Sequence, residues 1–109
     1  MSLININESE LYPTESFGPA VEGTLIYNVQ GQAEWEGAFI TTNERLIMNV
    51  NMNGEAYRRV FDYKDIKDVY QNEHGLFIEF PEGMGKIALV ETKTGKEETF
   101  VEYVKKKLG

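Results

Sequence analysis

Few side chains in this sequence could do chemistry, and their spacing limits what each could do. His74 is the single histidine, and there is no cysteine. A structural zinc site needs four nitrogen, sulfur or oxygen ligands held together, and a nucleophilic triad needs convergent partners. His74 lies between Glu73 and Gly75 in an expected turn, and it reads as a solvated turn residue. Disulfide and thiolate chemistry are excluded. Asp62, Asp65 and Asp68 stand three apart. A calcium loop needs denser oxygen ligands and a closing glutamate at fixed spacing. These three read as turn and strand-edge acids, with Asp65 placed to cap a turn. Glu34 and Glu36 flank Trp35. Paired carboxylates do acid–base work when burial splits their pKa values, but nothing in the sequence builds a pocket around this pair. Gly83-Met84-Gly85 lacks the glycine–lysine spacing of a phosphate loop and reads as a hairpin tip with Met84 exposed.

The cations are sparse. Arg58-Arg59, Lys64 and Lys67 form the basic cluster of the middle of the chain. On a regular strand Arg58 and Arg59 face opposite sides. With Arg45, the residues Arg58, Arg59 and Lys64 make a candidate anion or lipid-headgroup site. The competing reading is salt bridges to the many acids. Lys105-Lys106-Lys107 falls short of the roughly four to eight cations of a lipid-binding cluster, and a helix C-terminus explains it. The chain has 18 acidic and 11 basic side chains and a formal charge of −7. Such a surface repels phosphate backbones and anionic headgroups, so nucleic acid is not an expected partner and membrane lipid is disfavoured. With no nucleophile–base arrangement, metal set or cofactor loop, the expectation is a protein that is not an enzyme and takes no cofactor and no metal.

The elements that must position these residues follow from hydrophobic period. The 109 residues, 41% of them apolar, suit one domain with one core. No apolar run approaches the ~20 residues of a membrane span. The N-terminus lacks the basic-then-apolar order of a secretory signal, so the expected compartment is the cytoplasm. Residues 1–23 are polar and broken by Pro13, Gly18 and Pro19. They read as a lead-in segment with a short helical turn near Glu8–Tyr12. The domain proper is expected over 24–109. There the period is two. Strands are expected at Thr24–Val29, Trp35–Thr42, Leu46–Met52, Tyr57–Phe61, Asp65–Tyr70, Leu76–Phe80 and Ile87–Val90. Turns fall at Gly31-Gln32, Asn43-Glu44, Asn53-Gly54, His74-Gly75 and Pro81–Gly85. Asn53-Gly54 is the strongest hairpin signal of these. The period then changes. Phe100, Val101, Val104 and Leu108 make a helical apolar stripe. Thr94 and Glu97 stand at capping-box spacing, and the terminal charges complement the helix dipole.

Seven strands followed by one amphipathic helix are the element order of the pleckstrin-homology (PH) superfold. The run Gly37-Ala38-Phe39-Ile40-Thr41-Thr42-Asn43-Glu44-Arg45-Leu46-Ile47 resembles the glycine–Thr-Asn-x-Arg-Leu-Ile hairpin of bacterial PH-like domains of the YokE type, and related GRAM domains carry a similar hairpin. Tyr63-Lys64-Asp65-Ile66-Lys67-Asp68-Val69 is similar to the Tyr-x-Asp-Ile-x-x-Val segment that follows the fourth strand in that family. The resemblance covers about 22–108. It implies a mainly β fold: a seven-stranded antiparallel, partly open barrel or sandwich capped by a C-terminal α-helix. It carries over no catalytic residue. PH domains that bind phosphoinositides place Lys and Arg around the first hairpin loop. Here that loop, residues 29–36, has two acids and no base, so an anion would meet carboxylates.

The expected function is a binding or assembly module acting on an unidentified protein partner or on itself, by edge-strand pairing or through the groove between sheet and helix. Trp35, Phe39, Tyr57 and Tyr70 are the candidate contact residues, chosen for aromatic type and expected facing; for Trp35, the sole tryptophan, core packing is the favoured alternative.

Overall fold

The computed structural model describes residues 4, 6–29, 32–83 and 85–108, and at 27–29 and 32–33 it describes the backbone alone. The expected turn at Gly31, the facing of Tyr27 and Val29, and the exposure of Met84 lie outside the described residues.

Seven antiparallel strands form in chain order: β1 (Phe17–Val29), β2 (Gln32–Thr42), β3 (Arg45–Met52), β4 (Glu55–Asp62), β5 (Asp68–Asn72), β6 (Gly75–Glu79) and β7 (Lys86–Thr94). They lie in the order β4-β3-β2-β1-β7-β6-β5. One α-helix among the described residues, α1 (Glu97–Leu108), follows. This is the expected mainly β, PH-like sandwich capped by a C-terminal helix. β1 joins its two halves, pairing with β2 along its length and with β7 from Glu22 to Ile26. The β1–β7 register shifts between Glu22 and Thr24, and such irregularities bend and twist a sheet. The sheet does not close into a barrel, because β4 and β5 end it on opposite sides without pairing.

The alternation seen in sequence is the alternation of faces. Val21, Leu25, Phe39, Leu46, Met48, Val50, Ile78 and Leu89 point into one core. α1 seals that core with Phe100, Val101 and Val104, all buried, and the Phe100 ring lies 6.0 Å from that of Phe39. At Asn53-Gly54 both residues take positive φ, 55° and 92°, as the tightest hairpin turns require.

Three expectations are corrected. β1 begins at Phe17, ahead of Thr24, so residues 17–23 belong to the sheet. The Tyr63–Asp65 stretch is a 3₁₀ turn and β5 starts only at Asp68, because Tyr63 and Ile66 turn inward to fill the core. Thr94 does not cap α1: it ends β7. Gly95, at φ 92°, makes the connection with its backbone packed against the carbonyl of Ala20, where a Cβ has no room. Thr92 instead hydrogen-bonds Glu97 in the first turn of the helix. The helical turn read near Glu8–Tyr12 is present as a 3₁₀ turn over Glu8–Glu10, capped by the Asn7 side chain.

Candidate functional site

Two places gather unusual side chains: the N-terminal segment fastened to the β2–β3 turn, and a cleft beside β4.

The first is a clasp. Every residue from Thr41 to Arg45 reaches the chain N-terminal to or at the start of β1. The Thr41 hydroxyl donates to the Pro19 carbonyl at 2.6 Å. The Thr42 hydroxyl donates to Glu15 Oε2 at 2.6 Å. Asn43 accepts from the Ser16 amide at 2.7 Å and donates to the Thr14 carbonyl at 3.0 Å. The Thr14 hydroxyl donates to Glu44 at 2.6 Å. Arg45 holds Glu15 with both Nε and Nη2, at 2.7 and 3.1 Å, and its guanidinium lies 4.3 Å from the centre of the Tyr12 ring. The Glu15 side chain is shielded from solvent. Burial pushes its carboxyl up, but hydrogen bonds from Arg45, Thr42 and the Tyr12 amide outweigh burial and hold it below its usual value. Beyond the clasp, Ile4 and Ile6 pack on Ala38, Ile40 and Ile47, the outer face of the sheet. Glu10 reaches Arg58 at 2.9 Å, and Arg58 Nε donates to Asn49 at 2.9 Å.

The candidate anion residues are therefore divided. Arg45 and Arg58 sit on the outer face, each engaged by a carboxylate of the N-terminal segment. Arg59, one residue on, faces the other side and stacks 5.1 Å from the centre of the Phe61 ring. Lys64 is exposed on the 3₁₀ turn. They do not form one basic pocket.

The candidate contact residues are divided as well. Trp35 is 5% exposed and Phe39 0%. Both are core, which corrects Phe39 as a contact residue and leaves Trp35 with its core reading and not as an interface anchor; both point inward from β2, and Phe100 of α1 packs on Phe39. Tyr70 is half-buried, stacked on Phe77 at 5.3 Å, with its hydroxyl 3.3 Å from Glu79. Tyr57 is 42% exposed on β4.

Tyr57 lies on the strand that borders the second place. Between β4 and the β6–β7 turn is a cleft of about 630 Å³. Phe61, Phe80 and Ile87 line its apolar part, with the two phenyl rings 5.0 Å apart. Its charges are mixed: Arg59 and Lys86 against Asp65 and Glu82. Both cations lie over rings, Lys86 at 5.3 Å from the centre of Phe77. Three consecutive residues of β4, Arg59, Val60 and Phe61, border the cleft, so the backbone at the strand's outer edge runs along it. Among the described residues no strand pairs with that edge. Sequence reasoning found Arg59 and missed Phe80, Lys86 and Ile87. They come from just past the end of β6 and from the start of β7, strands that are not neighbours of β4 in the sheet.

Among the described residues no group of three or more His, Asp or Glu side chains is placed to hold a metal ion. No helix there is long and apolar enough to cross a membrane.

No protein-family model matches the chain, and no curated protein matches it. Among solved structures, the fold is similar to the C-terminal domain of an unknown protein from Leishmania infantum. The TM-score is 0.59 at 13% identity, over 86% of this chain and 84% of that one. At such identity the likeness is one of fold alone.

Proposed function

We propose that this chain is a non-catalytic PH-like binding module that takes up an extended protein segment along the open edge of β4. The observation that carries the reading is the juxtaposition of an unpaired strand edge with a cleft whose lining is partly apolar. Main-chain hydrogen bonds to a bare edge give affinity, and a pocket for alternate side chains gives specificity. Tyr57 and Val60, 42% and 43% exposed on this strand, add apolar surface among its charged residues Glu55, Arg58, Arg59 and Asp62. The likeness of the Gly37–Ile47 hairpin to bacterial PH-like domains is part of the same proposal and accords with the fold.

Anion binding has less support. The cleft balances two cations with two carboxylates, and Arg45 and Arg58 are already engaged elsewhere.

The test is selection of displayed decapeptides on the intact chain, followed by mapping of the selected peptide through backbone amide shifts. The expected result is a peptide whose shifts fall on Glu55–Asp62 and on 80–87, and whose binding Val60→Pro abolishes while the fold survives. Enrichment of no peptide, or shifts confined to other surfaces, overturns the reading. Inositol hexakisphosphate added alone is expected to leave the cleft amides unmoved, and saturable shifts at Arg59 and Lys86 would favour the anion reading instead.

A further inference from the structure

The edge of β4 has a pattern that suits one occupant in particular. We infer that the extended segment it accepts is the β4 edge of a second copy of this chain, paired antiparallel about a two-fold axis at Val60. This rests on the reading of β4 as a docking edge and specifies its partner.

A two-fold axis normal to a sheet keeps the inner faces of both copies on the same side. Because facing alternates along a strand, an inner-face residue must then lie opposite an inner-face residue, and the axis must pass through a residue of the strand. Arg58 or Arg59 on the axis would place a guanidinium against its own copy, and like charges directly opposite are destabilising. Val60 on the axis sets an exposed apolar side chain against itself. Arg58 then lies opposite Asp62 of the second copy, and Arg59 opposite its Phe61. Each contact is favourable, and symmetry makes each twice. Arg59 already stacks on the Phe61 of its own chain, so the cross-strand partner is chemically the same. Arg58 uses Nε and Nη1 within its own chain, leaving Nη2 for the Asp62 carboxylate. An axis at Tyr57 would also pair opposite charges, Glu55 with Arg59. The cleft decides between them, since it exposes the edge at Arg59–Phe61 and does not extend to Glu55 or Tyr57.

Such a contact is small beside the roughly 800 Å² per partner of a standard interface. The association is accordingly weak, with half-saturation expected at high micromolar to millimolar chain. It becomes significant where copies are concentrated or tethered.

The experiment is sedimentation equilibrium of the intact chain together with amide shifts followed up to about 1 mM. The expected result is a monomer–dimer equilibrium with concentration-dependent shifts on Glu55–Asp62. Arg58→Asp and Asp62→Arg should each weaken dimerisation by about tenfold or more, since each loses two ion pairs and gains two repulsions. The double variant R58D/D62R should restore it. Asp62 is exposed, so Asp62→Arg remains informative if Arg58→Asp loosens the Glu10 contact, and a thermal melt of each variant checks this. A strict monomer, failure of the double variant to recover, or loss of the dimer with Glu55→Lys overturns the inference. None of these removes the docking edge itself: selected peptides that still bind β4 would leave the proposed function standing with a different partner.

Discussion

The two ends of the sheet are treated differently by the same chain. At β5 the edge strand is short, and α1 packs beside it while burying Phe100, Val101 and Val104. At β4 the edge strand has eight residues, no element pairs with it among those described, and exposed Tyr57 and Val60 sit on it. A fold with one helix can shield one end, and this one leaves the longer strand bare. Bare edges invite pairing with another chain, which is why the proposed function is placed on this one. The lesson is that the position of a strand's hydrogen-bonding edge locates the candidate site here, where charge and aromatic content alone pointed to scattered places.

The contrast can be tested from its covered side to its bare side. Phe100→Ala empties a fully buried position under the helix. It should cost about 3–5 kcal/mol in denaturant unfolding, and a loss under about 1 kcal/mol would mean that α1 does not seal the core. Arg45→Met leaves the shielded Glu15 carboxylate without its cation. The expected loss is about 2–3 kcal/mol in the same assay, with the sheet retained by circular dichroism. The pH dependence of Glu15 follows in sign. Folding lowers its carboxyl below the ordinary 4.5, so its contribution is present above that value and is lost as pH falls through the folded one. The stability difference between the wild type and Arg45→Met should therefore be largest near neutrality and shrink as pH falls and the carboxyl takes up its proton, which thermal melts across pH would show. Tyr57→Ser, on the bare edge, should change stability by no more than about 0.5 kcal/mol while weakening peptide capture. A larger destabilisation would mean that β4 is supported there by contacts of its own chain.

Much of the fold was legible because one face of each strand is apolar. Leu46, Met48 and Val50 alternate and are buried together, and Phe100 and Val104 sit one helical turn apart and do the same. The seam between β7 and α1 was not legible. Thr94 and Glu97 have capping-box spacing, yet the sheet register carries β7 through Thr94, so a long-range pairing overrode a local signal. Phe39 was misplaced for a related reason. At its level both faces of β2 are covered, one by α1 and the core, the other by Ile4 and Ile6, and period two cannot say which face is wet when neither is. Trp35, set between exposed Glu34 and Glu36, simply follows the alternation. The cleft was invisible because Phe61 and Phe80 meet only through the topology.

The Thr41–Arg45 clasp carries a consequence for rates. Its two sides are 22–30 residues apart in the chain, and one side is the turn of a hairpin whose pairing is local. If the hairpin closes first and the N-terminal segment docks on the finished turn, the clasp belongs to the contacts formed after the folding barrier, which slow escape from the native state without hastening its formation. On that order, Arg45→Met would raise the unfolding rate and leave the refolding rate unchanged.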